Sequence, residues 1–238
     1  MALSGIPSRP TDKGDEMVIY LDSGKLEDMI AYGPQVSGYT TNPSLMKTGG
    51  VGHYETFARI AINHTQGKPI SFEVFADDAR GMYDQAHEIS SWGQNVYVKI
   101  PVTNTHGEST APLMNKLGIQ GIKVNATAIM TFEQINTVAR SLVGPSILSI
   151  FCGRIADTGR DPVPYITKAL VSKRSETKIL WASTREVLNV KQAREAGADI
   201  ITMTPDLIRK LDLFNKDLTA YSLDTVKMFY NDAKGLSL

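Results

Sequence analysis

The chain has 238 residues, 42% hydrophobic and 21% charged, with no formal net charge. This ordinary globular composition lacks the electrostatic footprint of a nucleic-acid or anionic-membrane partner, and no apolar run reaches the length of a membrane span. The single Cys152 and the scattered His53, His64, His87 and His106 exclude an intrachain disulfide and leave no metal site to expect. A cytoplasmic protein is therefore expected.

Residues 1–16 carry Ser, Gly, Pro, Lys and Asp with little apolar periodicity, and read as a disordered tail or an appended remnant. From residue 17 short apolar runs alternate with helical patterns. A strand over 17–21 ends at Asp22, and a short helix follows through Leu26, Met29 and Ile30. A weak strand over 38–40 ends at Thr41-Asn42-Pro43. Tyr54, Phe57, Ala58, Ala61 and Ile62 then form a stripe at helical spacing. The third strand spans 70–75, and a helix around Met82, Ala86 and Ile89 leads to the fourth, 95–101. There Pro101 marks the exit, because it cannot donate to a ladder. A helix through Leu113, Met114 and Leu117 precedes a strand at 122–126.

Thr131 and Gln134 have the spacing of a capping box before a helix with Phe132, Ile135, Ala139 and Leu142. After a strand at 146–150, Asp161-Pro162 opens a helix with Ile166, Ala169 and Leu170 inward. A strand at 179–183 leads to a helix that stops at Gly197, then to a strand at 200–203 and a helical stretch at 205–211. A last amphipathic helix over 222–233 carries Leu223, Val226, Phe229 and Tyr230. Eight strands, each followed by a helix, predict an α/β protein with a parallel sheet. Eight such units in about 220 residues fit a (β/α)8 TIM barrel, usually ~250 residues, as a single domain over 17–238 with an extra C-terminal helix. A doubly wound sheet is disfavoured, since no GxGxxG follows the first strand.

Barrel active sites lie where the strands end. Here the ends carry Asp22, Thr41 with Asn42, Glu73, Lys99, Asn125 with Thr127, Ser149 with Arg154, and Ser183 with Arg185. Strand alternation turns Ser71 and Glu73 to one face, and Lys123, Asn125 and Thr127 likewise. Each residue has a plain structural use: Asp22 as a cap, Asn42 in a turn, Glu73 in an ion pair, the arginines on the surface, Lys99 reaching for water. Together they form a coherent set, since buried polar groups cost several kcal/mol unless paired. A lysine among acids with no metal ligands suits Schiff-base formation with a carbonyl substrate, a carboxylate moves the protons, and two arginines with Ser183 suit a phosphate. The residues thus predict a cofactor-free, aldolase-type enzyme acting on sugar phosphates. Lys123 competes with Lys99 for the nucleophile's place, although it lies toward the N-terminal end of its strand.

The segments LDSG (21–24), TTNPSL (40–45), VKIP (98–101), NATAI (125–129), SIFCGRI (149–155), WASTRE (181–186) and AGADIITM (196–203) resemble the transaldolase family, including its short fructose-6-phosphate-aldolase-like branch. The resemblance implies a class I mechanism: Lys99 as the Schiff-base lysine, Asp22 as the acid/base, and Glu73 with Thr127 holding the catalytic water. It assigns Asn42, Asn125 and Ser149 to the dihydroxyacetone unit, and Arg154, Ser183 and Arg185 to the phosphate. The aldolase branch carries Gln where Glu73 stands and Tyr where Phe151 stands, and it lacks Arg185, so the resemblance favours transaldolase. A simple fructose-6-phosphate aldolase and a non-catalytic sugar-phosphate-binding barrel remain as alternatives. The short length implies a homo-oligomer, pentamer-based and up to a decamer. Phe229 and Tyr230 have two equal readings, packing on a neighbour or on the chain's own barrel.

Overall fold

Eight parallel strands close into one barrel in chain order: β1 (Val18–Asp22), β2 (Gly38–Thr40), β3 (Ile70–Glu73), β4 (Val96–Pro101), β5 (Val124–Ile129), β6 (Ser146–Ile150), β7 (Thr177–Trp181) and β8 (Ile200–Met203). In this computed structural model, which describes residues 17–236, β8 returns to β1 with Val18 opposite Ile200 and Leu21 opposite Met203. The expected tail over 1–16 lies outside the described residues. Helices α1 (Leu26–Tyr32), α2 (Pro43–Thr48), α3 (Tyr54–His64), α4 (Ala79–Ser91), α5 (Ala111–Ile119), α6 (Phe132–Ser141), α7 (Cys152–Ala156), α8 (Val163–Ser172), α9 (Leu188–Ala196), α10 (Pro205–Arg209) and α11 (Leu218–Asp232) follow the strands. None of the described helices is long and apolar enough to cross a membrane. The architecture is a (β/α)8 TIM barrel.

Residue parity sorts the apolar side chains into two compartments. Outward residues such as Leu21, Phe72, Val98, Leu148, Trp181 and Ile201 join Met82, Ile135, Ala139, Ile166 and Val190 of the helices in the main core. Inward residues Tyr20, Ile147, Leu180, Ala182 and Ile200 form a second, smaller cluster inside the barrel, with Val18, Tyr97 and Phe151 against it. Gly38 makes room for this plug, since a Cβ there would stand 2.5 Å from the Tyr20 ring. The apolar plug fills the lower interior and turns the polar inward residues toward the strands' C-terminal mouth.

Local signals act as their chemistry requires. Thr131 and Gln134 form a reciprocal capping box on α6, and Gly197 ends α9 in the left-handed conformation at φ 89°. The Asp161 carboxylate accepts from Val163 N at 3.0 Å at the start of α8. Two short helices, α2 and α7, stand immediately after β2 and β6, the first where Asn42 was read as part of a turn. Asn42 starts the first by accepting from Leu45 N at 2.9 Å. Strand β5 begins at Val124, which leaves Lys123 outside the barrel wall. Its Nζ donates to Gln94 O at 2.6 Å and lies 5.7 Å from the Tyr97 ring centroid. Helix α11 begins four residues before the expected Ser222 and buries no side chain. Phe229 and Tyr230 are 62% and 70% exposed, so they do not pack on the chain's own barrel.

Candidate active site

A cavity of about 530 Å³ opens at the C-terminal mouth of the barrel. Of the residues expected there, Asp22, Asn42, Glu73, Lys99, Thr127, Ser149, Phe151, Arg154, Ser183 and Arg185 all line it. Asn125 does not. It is fully buried beneath the floor, where its Nδ2 donates to Ser71 Oγ at 3.0 Å and its Oδ1 accepts from Ser149 Oγ at 2.7 Å. These two bonds hold the Ser149 hydroxyl at the cavity wall. Lys123 lies at the opposite end of its strand, which removes it from the contest with Lys99.

Lys99 is 6% exposed. Its ammonium donates to Thr41 O at 2.8 Å and stands 3.4 Å from Glu73 Oε2. The pairing follows from register, because Glu73, Lys99 and Asn125 are direct neighbours across β3, β4 and β5. Adjacent strands lie ~4.8 Å apart, so inward side chains at one level meet. Asp22 caps no helix; its Oδ1 accepts from Thr40 Oγ1 at 2.7 Å. Burial pushes the Asp22 pKa up, partly offset by the Lys99 charge and the Thr40 hydrogen bond. This equips Asp22 to bind and release a proton nearer neutrality than an exposed carboxyl does. Thr127 Oγ1 is buried, lines the cavity and has no hydrogen-bond partner in the protein. The register of β5 against β6 shifts between Ala126 and Ile129, and Ala128 sits there at φ 62°. This bulge is the local device that shapes the mouth beside Thr127.

The opposite rim is cationic. Arg154 of α7 carries its guanidinium 5.8 Å from the Phe151 ring centroid. Arg185 grips Asp157 through Nε at 3.1 and 3.2 Å and through Nη2 at 2.6 Å. Those hydrogen bonds, with the Arg185 and Arg154 charges, hold the Asp157 carboxyl below its ordinary range. Ser183, at φ 62°, lines the same cavity as the two arginines. Gly153 is required opposite it, since a Cβ there would lie 1.6 Å from Ser183 O. Close approach of α7 to the end of β7 thus brings the two arginines to one rim. Backbone in sparsely populated regions clusters at functional sites, and both Ala128 and Ser183 line this cavity.

Sequence reasoning missed Thr40, Thr202 and Asp157. Thr40 stood inside a quoted motif, and Thr202 shares inward parity with Ile200. Both were legible from alternation. Asp157 gave no signal, because its pairing with Arg185 crosses two connections.

The class defined by this fold and site is a (β/α)8 barrel that gathers a buried lysine, two carboxyls and two arginines at its C-terminal mouth. Residues 19–237 match the model of the Transaldolase/Fructose-6-phosphate aldolase family, and the chain belongs to that family. It is 36% identical over 208 residues to a probable transaldolase of Methanococcus maripaludis, covering 85% of this chain and 92% of that one. A probable transaldolase of Dehalococcoides mccartyi is 32% identical over 193 residues, covering 79% and 86%. By shape the chain resembles a mutant tryptophan synthase alpha-subunit of Pyrococcus furiosus, with TM-score 0.58, 12% identity and coverage of 90% and 97%. It also resembles 3-hexulose-6-phosphate synthase of Salmonella typhimurium, with TM-score 0.57, 14% identity and coverage of 79% and 89%. These last two likenesses establish the fold alone.

Proposed function

We propose that the chain is a transaldolase. In this reading it moves a dihydroxyacetone unit from sedoheptulose 7-phosphate or fructose 6-phosphate to glyceraldehyde 3-phosphate or erythrose 4-phosphate, in the pentose phosphate pathway of the cytoplasm. The observation that carries it is the near-complete burial of Lys99 beside Glu73, in a cavity that also holds Asp22. Lys99 passes a proton to Glu73 through a water that Thr127 helps to hold. The neutral amine then adds to the ketose carbonyl, and Glu73 returns the proton to the carbinolamine hydroxyl, which leaves as water and gives the iminium. Asp22 takes the proton from the C4 hydroxyl. The C3–C4 bond breaks, its electron pair moves into the iminium to give an enamine, and the aldose phosphate departs. The enamine carbon adds to the acceptor aldehyde, Asp22 returns its proton to the new hydroxyl, and water added through Glu73 releases the product. Ser149 and Asn42 bind the dihydroxyacetone hydroxyls, with Asn125 setting the Ser149 hydroxyl. Arg154, Arg185 and Ser183 hold the phosphate.

Transfer is favoured over simple cleavage by Glu73 and Phe151, where the aldolase branch has Gln and Tyr. Phe151 contributes no hydroxyl to the cavity wall. The exposed Phe229 and Tyr230 of α11 support a homo-oligomer in which a neighbouring copy covers them, and its pentamer-based size, up to a decamer, rests on the resemblance of this short chain to the short branch of the family. Borohydride reduction with fructose 6-phosphate is expected to trap a covalent adduct on Lys99, absent in Lys99→Ala. Steady-state turnover of fructose 6-phosphate is expected to require erythrose 4-phosphate. An adduct undiminished in Lys99→Ala would overturn the nucleophile, and acceptor-independent turnover would identify an aldolase instead.

A further inference from the structure

Behind Asp22 runs a buried hydroxyl chain. Thr40 Oγ1, on β2, lies 2.7 Å from Asp22 Oδ1 and 2.6 Å from Thr202 Oγ1, on β8. Thr202 is 4% exposed and Thr40 is 3% exposed. A hydroxyl has one proton to give. Thr40 gives its proton to the carboxylate, so at 2.6 Å it accepts from Thr202, whose 3.4 Å contact with Tyr20 O is the longer and weaker alternative, and the chain runs from Thr202 through Thr40 to Asp22. The Thr202 position is itself fixed twice. Its carbonyl accepts from Thr184 Oγ1 at 2.7 Å, and β8 pairs it directly with Tyr20 of β1. Three strands that meet only when the barrel closes therefore converge on one carboxyl oxygen.

Hydrogen bonds in such a chain polarise one another, and in a low-dielectric interior each strengthens the next. Resting on the aldol-type chemistry proposed above, we infer that Thr202 is a positioning residue for Asp22, acting through Thr40. Its hydroxyl reaches the carboxyl only through Thr40. It orients the Thr40 hydroxyl so that Asp22 Oδ1 is permanently occupied by the protein, which leaves Oδ2 as the oxygen that exchanges a proton with the substrate. It also stabilises the carboxylate form, so that Asp22 stays a base at the pH of turnover despite its burial. The charged groups that face Asp22 across the cavity are Lys99 of β4 and Glu73 of β3, with Arg154 and Arg185 on the far rim. None of these is on β8, whose contribution to the carboxyl is the neutral Thr202.

The test is Thr202→Val, which keeps volume and β-branching and removes the hydroxyl. Donor KM is expected to stay near the wild-type value, while kcat falls about tenfold, a fraction of a full acid/base contribution. The acid limb of the kcat–pH profile is expected to rise by about one pH unit, because the base loses stabilisation of its charged form. Thr202→Ser is expected to restore both. Thr202→Cys, a weaker donor of similar size, is expected to give a smaller shift in the same direction, and it decides the matter if the valine variant does not fold. A wild-type pH profile in either folded variant, or a loss that serine does not rescue, would overturn the inference. Borohydride trapping separates this result from the underlying reading. An adduct trapped in wild type and in Thr202→Val alike, with an unshifted profile, removes only the role of Thr202. Absence of any adduct in wild type removes the Schiff-base reading itself.

Discussion

Replacing Thr127 by valine is expected to make the protein more stable and much less active. Its Oγ1 is buried at 1% residue exposure without a protein partner, while the adjacent wall of β4 supplies Pro101 as its register partner. An unpaired buried hydroxyl costs about 1–3 kcal/mol by protein mutational data. Valine fills the same space with a methyl group, so the volume term nearly vanishes; because the hydroxyl is satisfied only by the water it holds, the remaining gain is at most about 1 kcal/mol. For a chain of this size, each kcal/mol corresponds to a rise in Tm of about 2–4 °C. The same change removes one of two groups that hold the water of imine formation, and kcat is expected to fall at least ~10²-fold. Thermal melts at a fixed protein concentration, which controls for assembly, read the first effect. Borohydride-trapped adduct formed per second reads the second. A variant that melts lower than wild type and turns over normally would refute the reasoning, because Thr127 would then be held by the fold for packing alone.

Two further outcomes follow from the same geometry. Asp22→Asn is expected to stabilise the fold most at neutral and alkaline pH. Burial raises the native Asp22 pKa above its unfolded value, so folding takes up a proton; the group's contribution is fully favourable below the unfolded pKa and is lost as pH climbs through the raised native value. The wild-type minus variant difference in Tm should therefore grow more negative from pH 4 upward; a pH-independent difference would contradict it. Arg185→Lys loses the planar fork that engages Asp157 through Nε and Nη2. It is expected to raise KM for erythrose 4-phosphate about tenfold with little effect on unphosphorylated glyceraldehyde; an equal rise for both acceptors would remove the phosphate role.

Most of the site was legible because strand alternation is a local rule. Glu73, Lys99 and Asn125 each fall on the face opposite their apolar neighbours, and parallel pairing in chain order makes them adjacent once the barrel is accepted. Boundaries were less legible. Lys123 read as a strand residue in step with Asn125, but β5 starts one residue later and sends that ammonium to Gln94 O. The short helices α2 and α7 were hidden because five or six residues cannot display a helical period, and because Asn42-Pro43 read as a turn. Asp157 was invisible for a different cause: nothing near it in sequence marks it as the partner of Arg185, 28 residues on.

The order of strands, the inward and outward faces and the residue types at each strand end were determined by the sequence alone, since each depends on neighbours within a few residues. Closure of the barrel decided the rest. Only closure places Thr202 of the last strand against Thr40 of the second and sets Asp22 of the first strand across the cavity from Lys99. Those contacts join residues up to 162 positions apart, and they exist because eight twisted strands return to their starting edge.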